Sequence, residues 1–194
     1  MRERVPHEIA ASVLAATTAF VGGTALNLPP WAIFVSWAGL HLMGPLSLAN
    51  AARLWAAMPV GSAFALAIVL ADQHLGPHVD NGRWAQDALL AAIILVLNTA
   101  LMYTGRLRAT SLVPGMFLGF ASYFATFFGG FGYHAGSVWA AWVSVVAMNA
   151  LGPVYAYLAG RLTFARAEPG DTATATAAHA APAAQAGPSP ARAR

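Results

Sequence analysis

Between Ala109 and Gly160 the chain carries no Asp, Glu, Lys or Arg for 52 residues. A soluble domain of ordinary make-up is about 25% charged, whereas a helix crossing a bilayer needs about 20 consecutive, mainly apolar residues. The run therefore holds two crossings and a turn. Within it, Leu112 to Phe128 opens on Pro114 and spaces Gly115 and Gly119 by four; Gly152, Ala156 and Gly160 repeat that spacing further on. Small residues at this interval let helix backbones approach closely in lipid, so Gly115, Gly119, Gly152 and Ala156 are expected helix-packing positions.

The same reading extends over most of the chain and predicts an all-α integral membrane fold with six transmembrane helices. They fall at about residues 9–28, 31–49, 54–71, 88–104, 112–128 and 138–160. The first is too long for the apolar core of a signal peptide and has no convincing cleavage site, so it is read as a span. Its Thr17, Thr18, Gly22, Gly23 and Thr24 form a small-residue stripe. Arg53 is taken to mark a water-facing turn between the second and third spans. Asp72 to Asp87, with three Asp, two His and the turn-forming Asn81-Gly82, is read as a loop outside the bilayer. A membrane domain over 1–166 is followed by 167–194, where twelve Ala and four Pro are joined by hardly any large apolar residue. That composition cannot offset the entropy of ordering a chain, and it predicts a disordered tail.

All ten basic residues are arginines, and their placement fixes an orientation. With the N-terminus cytoplasmic and six spans, nine arginines fall inside and Arg83 alone outside, a strong positive-inside bias. Both termini are then cytoplasmic. The net charge of +3 is accounted for by this orientation, so the partner is the lipid bilayer and not nucleic acid; the small-residue faces also admit a homo-oligomer.

Sliding the chain by 84 residues lays Pro30 on Pro114 and Trp55-Ala56-Ala57 on Trp139-Ala140-Ala141. Two readings stay open: chance matches in an Ala-rich sequence, or a duplication into repeats at 9–80 and 88–164. Units of three helices would cross the membrane in opposite senses, an arrangement that recurs in transporters.

The pattern WAIF at Trp31 to Phe34, the VPGMFLG run at Val113 to Gly119, FAT at Phe124 to Thr126 and a last span ending in Arg161 resemble the domain of unknown function 1097 family, the YcdZ-type bacterial inner-membrane proteins. The resemblance covers about Ile9 to Arg161 and implies a multi-spanning membrane protein; it brings no activity and no site residues. His41 stands where that family usually has an aromatic residue.

Candidate chemistry is sparse. No Cys and no Lys are present, which removes thiolate metal sites, Cys nucleophiles and P-loop chemistry. Every acidic residue lies in a loop, in the tail or beside an interface, so no enzyme activity, cofactor or metal is expected. His74, His78, Asp72 and Asp80 read as a solvated loop. What remains is three polar groups expected near span centres, His41, Asn98 and Asn149, which are the solute-path candidates because an amide or imidazole in hydrocarbon needs a partner or a wet cavity. Pro153 lacks the N–H that would bond the Asn149 carbonyl, leaving an oxygen and an amide at one level. The expected function is passive transport or a channel for a small neutral or weakly polar solute. The alternative is a non-transporting scaffold or partner subunit that associates through small-residue helix faces.

The orientation is checked in this Cys-free chain by Arg108→Cys and Phe164→Cys introduced one at a time. Both should react with an impermeant maleimide only from the cytoplasmic side; labelling of either from outside overturns the topology.

Overall fold

A computed structural model describes residues 6–23 and 26–162. Thr24, Arg166 and the proposed tail at 167–194 lie outside the described residues. Among those described the chain is all helical: α1 His7–Val21, α2 Trp31–Leu42, α3 Leu48–Leu75, α4 Arg83–Thr104, α5 Val113–Phe128 and α6 Val138–Leu162, with short 3-10 turns at Gly76–His78 and Arg108–Thr110.

The local chemistry of the ends accounts for most boundaries. α1 carries Glu8 in its first turn, where the positive end of the helix dipole favours a carboxylate. α2 follows Pro29-Pro30 and stops before Gly44, whose φ of +93° suits glycine, and Pro45. Ser47 caps α3 by accepting from the Asn50 N–H at 3.1 Å. α5 begins with Pro114 in its first turn, where a missing N–H costs nothing.

Three expectations are corrected. The turn between the second and third spans lies at 43–47, and Arg53 sits inside α3, two turns beyond the Ser47 cap. Arg53 is exposed, and one arginine near a helix start can lay its stem along the helix while its head stays in a polar medium, so it does not break the element. The first helix ends at Val21 and not near Leu28, since Gly22 and Gly23 interrupt it. Asp72 to Leu75 continue α3, so the loop shrinks to 76–82; only Gly76-Pro77 stops the helix. At about 1.5 Å per residue, the 28 residues of α3 reach well past a hydrocarbon layer of about 30 Å, which lets its polar end stand in water as helix.

Three helices are long and apolar enough to cross a membrane: α3 with its following turn, α4 and α6. The 15, 12 and 16 residues of α1, α2 and α5 reach about 18–24 Å at the same rise.

The most extensive helix contacts are α3 with α5 and α2 with α6; α4 leans on α3 as α1 leans on α6, and α3 and α6 cross each other. These pairings rest on absent side chains. A Cβ on Gly61 would overlap the Met116 carbonyl, and one on Gly119 the Met58 carbonyl, so α3 and α5 meet backbone to backbone. Gly152 lies in the same way on α2, against Ser36 Oγ and the Ile33 carbonyl. Gly115 meets Ala57 of α3, and Ala156 is fully buried in the main core with Ile33, Leu40, Leu54 and Met148.

Gly119→Ala should therefore lower the melting temperature in detergent through a loss of about 1–3 kcal/mol. Gly160→Ala, at an open helix position whose nearest neighbour is the Leu46 methyl at 3.4 Å, should be neutral or stabilise by up to about 1 kcal/mol. Equal effects at the two sites would contradict the backbone contact.

Candidate functional site

The polar groups of the bundle are mostly satisfied within their own helices. Ser36 bonds back to the Ala32 and Ile33 carbonyls, Ser62 to Pro59 at 2.9 Å and Thr126 to Ser122 at 2.7 Å. Trp31 Nε1, Trp142 Nε1 and Ser122 Oγ are buried without a partner, and so is the whole amide of Asn149. Asn149 is only 4% exposed, and neither its Oδ1 nor its Nδ2 has a hydrogen-bond partner. In a protein interior an unpaired amide of this kind costs about 1–3 kcal/mol.

Asn149 lies on α6 in the wall of a groove of about 250 Å³ between α3 and α6, shared with Leu54, Trp55, Met58, Pro59, Val146 and Ala150. The two prolines give this groove its character. Pro153, inside α6, takes the amide proton from the Asn149 carbonyl, and Pro59, inside α3, takes it from the Trp55 carbonyl. Both carbonyls thus belong to residues that line one groove. The helices are tied across it by the Trp55 indole, whose Nε1 donates to the Ala150 carbonyl at 3.0 Å. Beyond Trp55 a second apolar recess of about 390 Å³ continues between Leu40, Ala51, Pro153 and Tyr157.

The other two solute-path candidates stand apart from this groove. His41 was expected at mid-span; because α2 ends at Leu42, it occupies the last helical turn, is exposed, and accepts a hydrogen bond at its Nε2 from Trp37 Nε1 at 2.9 Å. Asn98 is half-buried on α4, in a pocket lined only by Thr99, Met102, Tyr103 and Arg106 beside it. α4 packs on α3, so no helix arrangement brings Asn98 to Asn149. Of the loop residues, His78 Nδ1 donates to the His74 carbonyl at 3.0 Å across the end of α3.

Sequence reasoning left Trp55 open between packing and lining a path, and overlooked Pro59. The signal was available: Pro59 is a second proline inside an apolar run, and it stands in α3 as Pro153 stands in α6. The 84-residue alignment hid the correspondence, because it pairs Pro59 with Val143.

The loops at the short helices are also tied by side chains. Asn27, in a left-handed conformation at φ +48°, donates from Nδ2 to the Gly130 carbonyl at 2.9 Å and accepts at its own carbonyl from the Gly132 N–H at 2.8 Å. At the opposite pair of loops, Asn50 Nδ2 donates to the Pro45 carbonyl at 3.1 Å and Thr110 Oγ1 to the Thr104 carbonyl.

The sequence profile described as Protein of unknown function (DUF1097) matches residues 8–164, and the chain belongs to that family. No curated protein and no solved structure matches the chain.

Trp55→Phe removes the tie across the groove while keeping an aromatic wall. Loss of about 0.5–1.5 kcal/mol of stability is expected for one net hydrogen bond, measured by thermal unfolding in detergent; an unchanged midpoint would mean that the indole bond contributes nothing.

Proposed function

We propose that this chain is a multi-pass protein of the bacterial inner membrane that passes a small, neutral, hydrogen-bond-donating solute along the α3–α6 groove. The observation that carries the reading is the Asn149 amide, buried and unpartnered in a groove where two helix prolines each free a backbone carbonyl. Discontinuities of this kind in membrane helices are where transporters bind their cargo. Pro59 and Pro153 deprive the Trp55 and Asn149 carbonyls of their usual helix N–H partners, and on this reading the excess of acceptors favours a solute rich in N–H or O–H groups. No charged residue lines the groove, so binding is weak enough to release, as passive passage requires.

The six-span topology with both termini cytoplasmic is part of the same proposal. α1, α2 and α5 are short, but irregular backbone is tolerated at membrane depth when its polar groups are met within the protein. The bonds of Asn27, Asn50 and Thr110 to loop carbonyls support this. Inverted repeats are proposed on the exchange of partners: α2 lies on α6 as α5 lies on α3, and α1 on α6 as α4 on α3. The groove between α3 and α6 then falls at the repeat interface. The partner-subunit reading loses its original support, since Gly115, Gly119, Gly152 and Ala156 are buried inside this chain.

In proteoliposomes the wild-type protein should speed the entry of urea or glycerol, followed by light scattering after an osmotic step, and Asn149→Leu should abolish that increment. Its thermal stability should hold or rise, because an unpaired amide is replaced by a side chain of similar size. Unchanged passage per folded molecule would remove Asn149 from the path.

A further inference from the structure

Asn98 presents the same problem as Asn149 on a different surface. It stands 15 residues after Arg83 and eight before Arg106, about 22 Å and 12 Å along the helix, so its amide lies within the hydrocarbon that α4 crosses. No hydrogen bond reaches it among the described residues, and its pocket is walled by α4 and Arg106 alone. The buried residues of α4, Ile93 and Leu101, lie on the side that packs on α3. Asn98 is half-buried at the border of the outer side, and no neighbouring helix lines its pocket, so what it meets there is lipid, which can offer an amide nothing.

That outer side has a pattern. Trp84, Ala88, Ala91, Leu95, Asn98 and Met102 follow one another at intervals of four, three, four, three and four residues, the 3.5-residue period of a two-helix seam. None is buried: Trp84 is 88% exposed, Leu95 69% and Met102 45%. A seam with alanines at two steps and a single asparagine at another is how paired helices fix register and partner number.

We propose that two copies of this chain pair through α4, seam to seam, about a two-fold axis along the membrane normal, with the Asn98 amides bonded to each other. The amide is self-complementary. In an isologous contact each Asn98 Nδ2 donates to the other copy's Oδ1, and one residue satisfies both partners. Copies inserted with the same topology bring α4 parallel to itself, which is the arrangement that sets Asn98 opposite Asn98. An anionic lipid at Arg106 explains the seam less well: that side chain shares a pocket with Asn98, but Trp84, Ala88 and Ala91 stand about 22 Å or more from Arg106 along the helix. The inference needs α4 in the bilayer and is independent of solute passage.

The absence of cysteine makes the test direct. In native-lipid membranes Leu95→Cys should give a disulfide-linked dimer on mild oxidation, while Val96→Cys, equally exposed at 66% but one helical step off the seam, should not. Adding Asn98→Leu to Leu95→Cys should weaken association roughly three- to thirty-fold, the range for interhelical polar contacts in membranes, and Asn98→Gln should retain much of it. Equal crosslinking at 95 and 96, none at 95, or an association indifferent to Asn98→Leu would overturn the proposal. So would pairing that follows anionic lipid content and disappears with Arg106→Gln alone.

Discussion

The bundle depends on two reciprocal backbone contacts, Gly61 of α3 on the Met116 carbonyl of α5 and Gly119 of α5 on the Met58 carbonyl of α3. Lipid tails are as apolar as leucine, so helices in a bilayer gain little by hiding side chains from solvent. What holds them is dispersion at close range. Glycine at both contact points brings the axes near enough for that attraction to accumulate along their length. Gly152 does the same for α6 on α2, where Ser36 is at once the contact and a satisfied polar group through its bonds to Ala32 and Ile33. With α5 fixed on α3 and α2 on α6, the two longest helices are left facing each other, each with a proline inside its continuous run.

Those prolines have unequal surroundings. One turn beyond Pro59 the Ser62 hydroxyl donates back to the Pro59 carbonyl at 2.9 Å. α6 has an asparagine four residues before its proline, and that amide has no partner among the described residues. One side of the groove is thus closed on itself, and the other carries an amide held ready for something else. Trp55 lies across the gap with its ring 41% exposed and its one polar atom bound to α6, which makes it both strut and wall.

Much of the architecture was legible in the order of residues, and the particular failures have physical causes. The fifth and sixth helices lie almost where the charge-free run and Pro114 place them, because apolar length and a proline in the first turn act locally. Arg53 and Asp72 were read as leaving the helix, yet both are accommodated in α3, since a charged residue near the end of a 28-residue helix reaches water without unwinding it. The glycine spacing pointed to contact surfaces but could not name partners; that Gly119 meets Met58 is a property of how helices cross. The three polar candidates lie apart for the same reason. Depth along the chain is written in the sequence, whereas the face a helix turns towards its neighbours is decided by every other helix.

Asn98 and Asn149 show how one cost leads to two outcomes. On the proposed membrane placement each is an amide at bilayer depth without a partner among the described residues, a condition that costs several kcal/mol in hydrocarbon. Asn149 lies in a crevice too narrow for a helix but roomy enough for a small molecule. On the proposed reading its partner comes and goes, and a permanent bond there would close the path. Asn98 lies on an open helical face where a second helix fits and a small solute would not be held. Its partner can be permanent, and a repeat of 3.5 residues along the same face gives that partner a register. The surroundings of an unpaired group, more than its chemistry, decide whether the missing hydrogen bond is completed by a ligand in transit or by another copy of the protein.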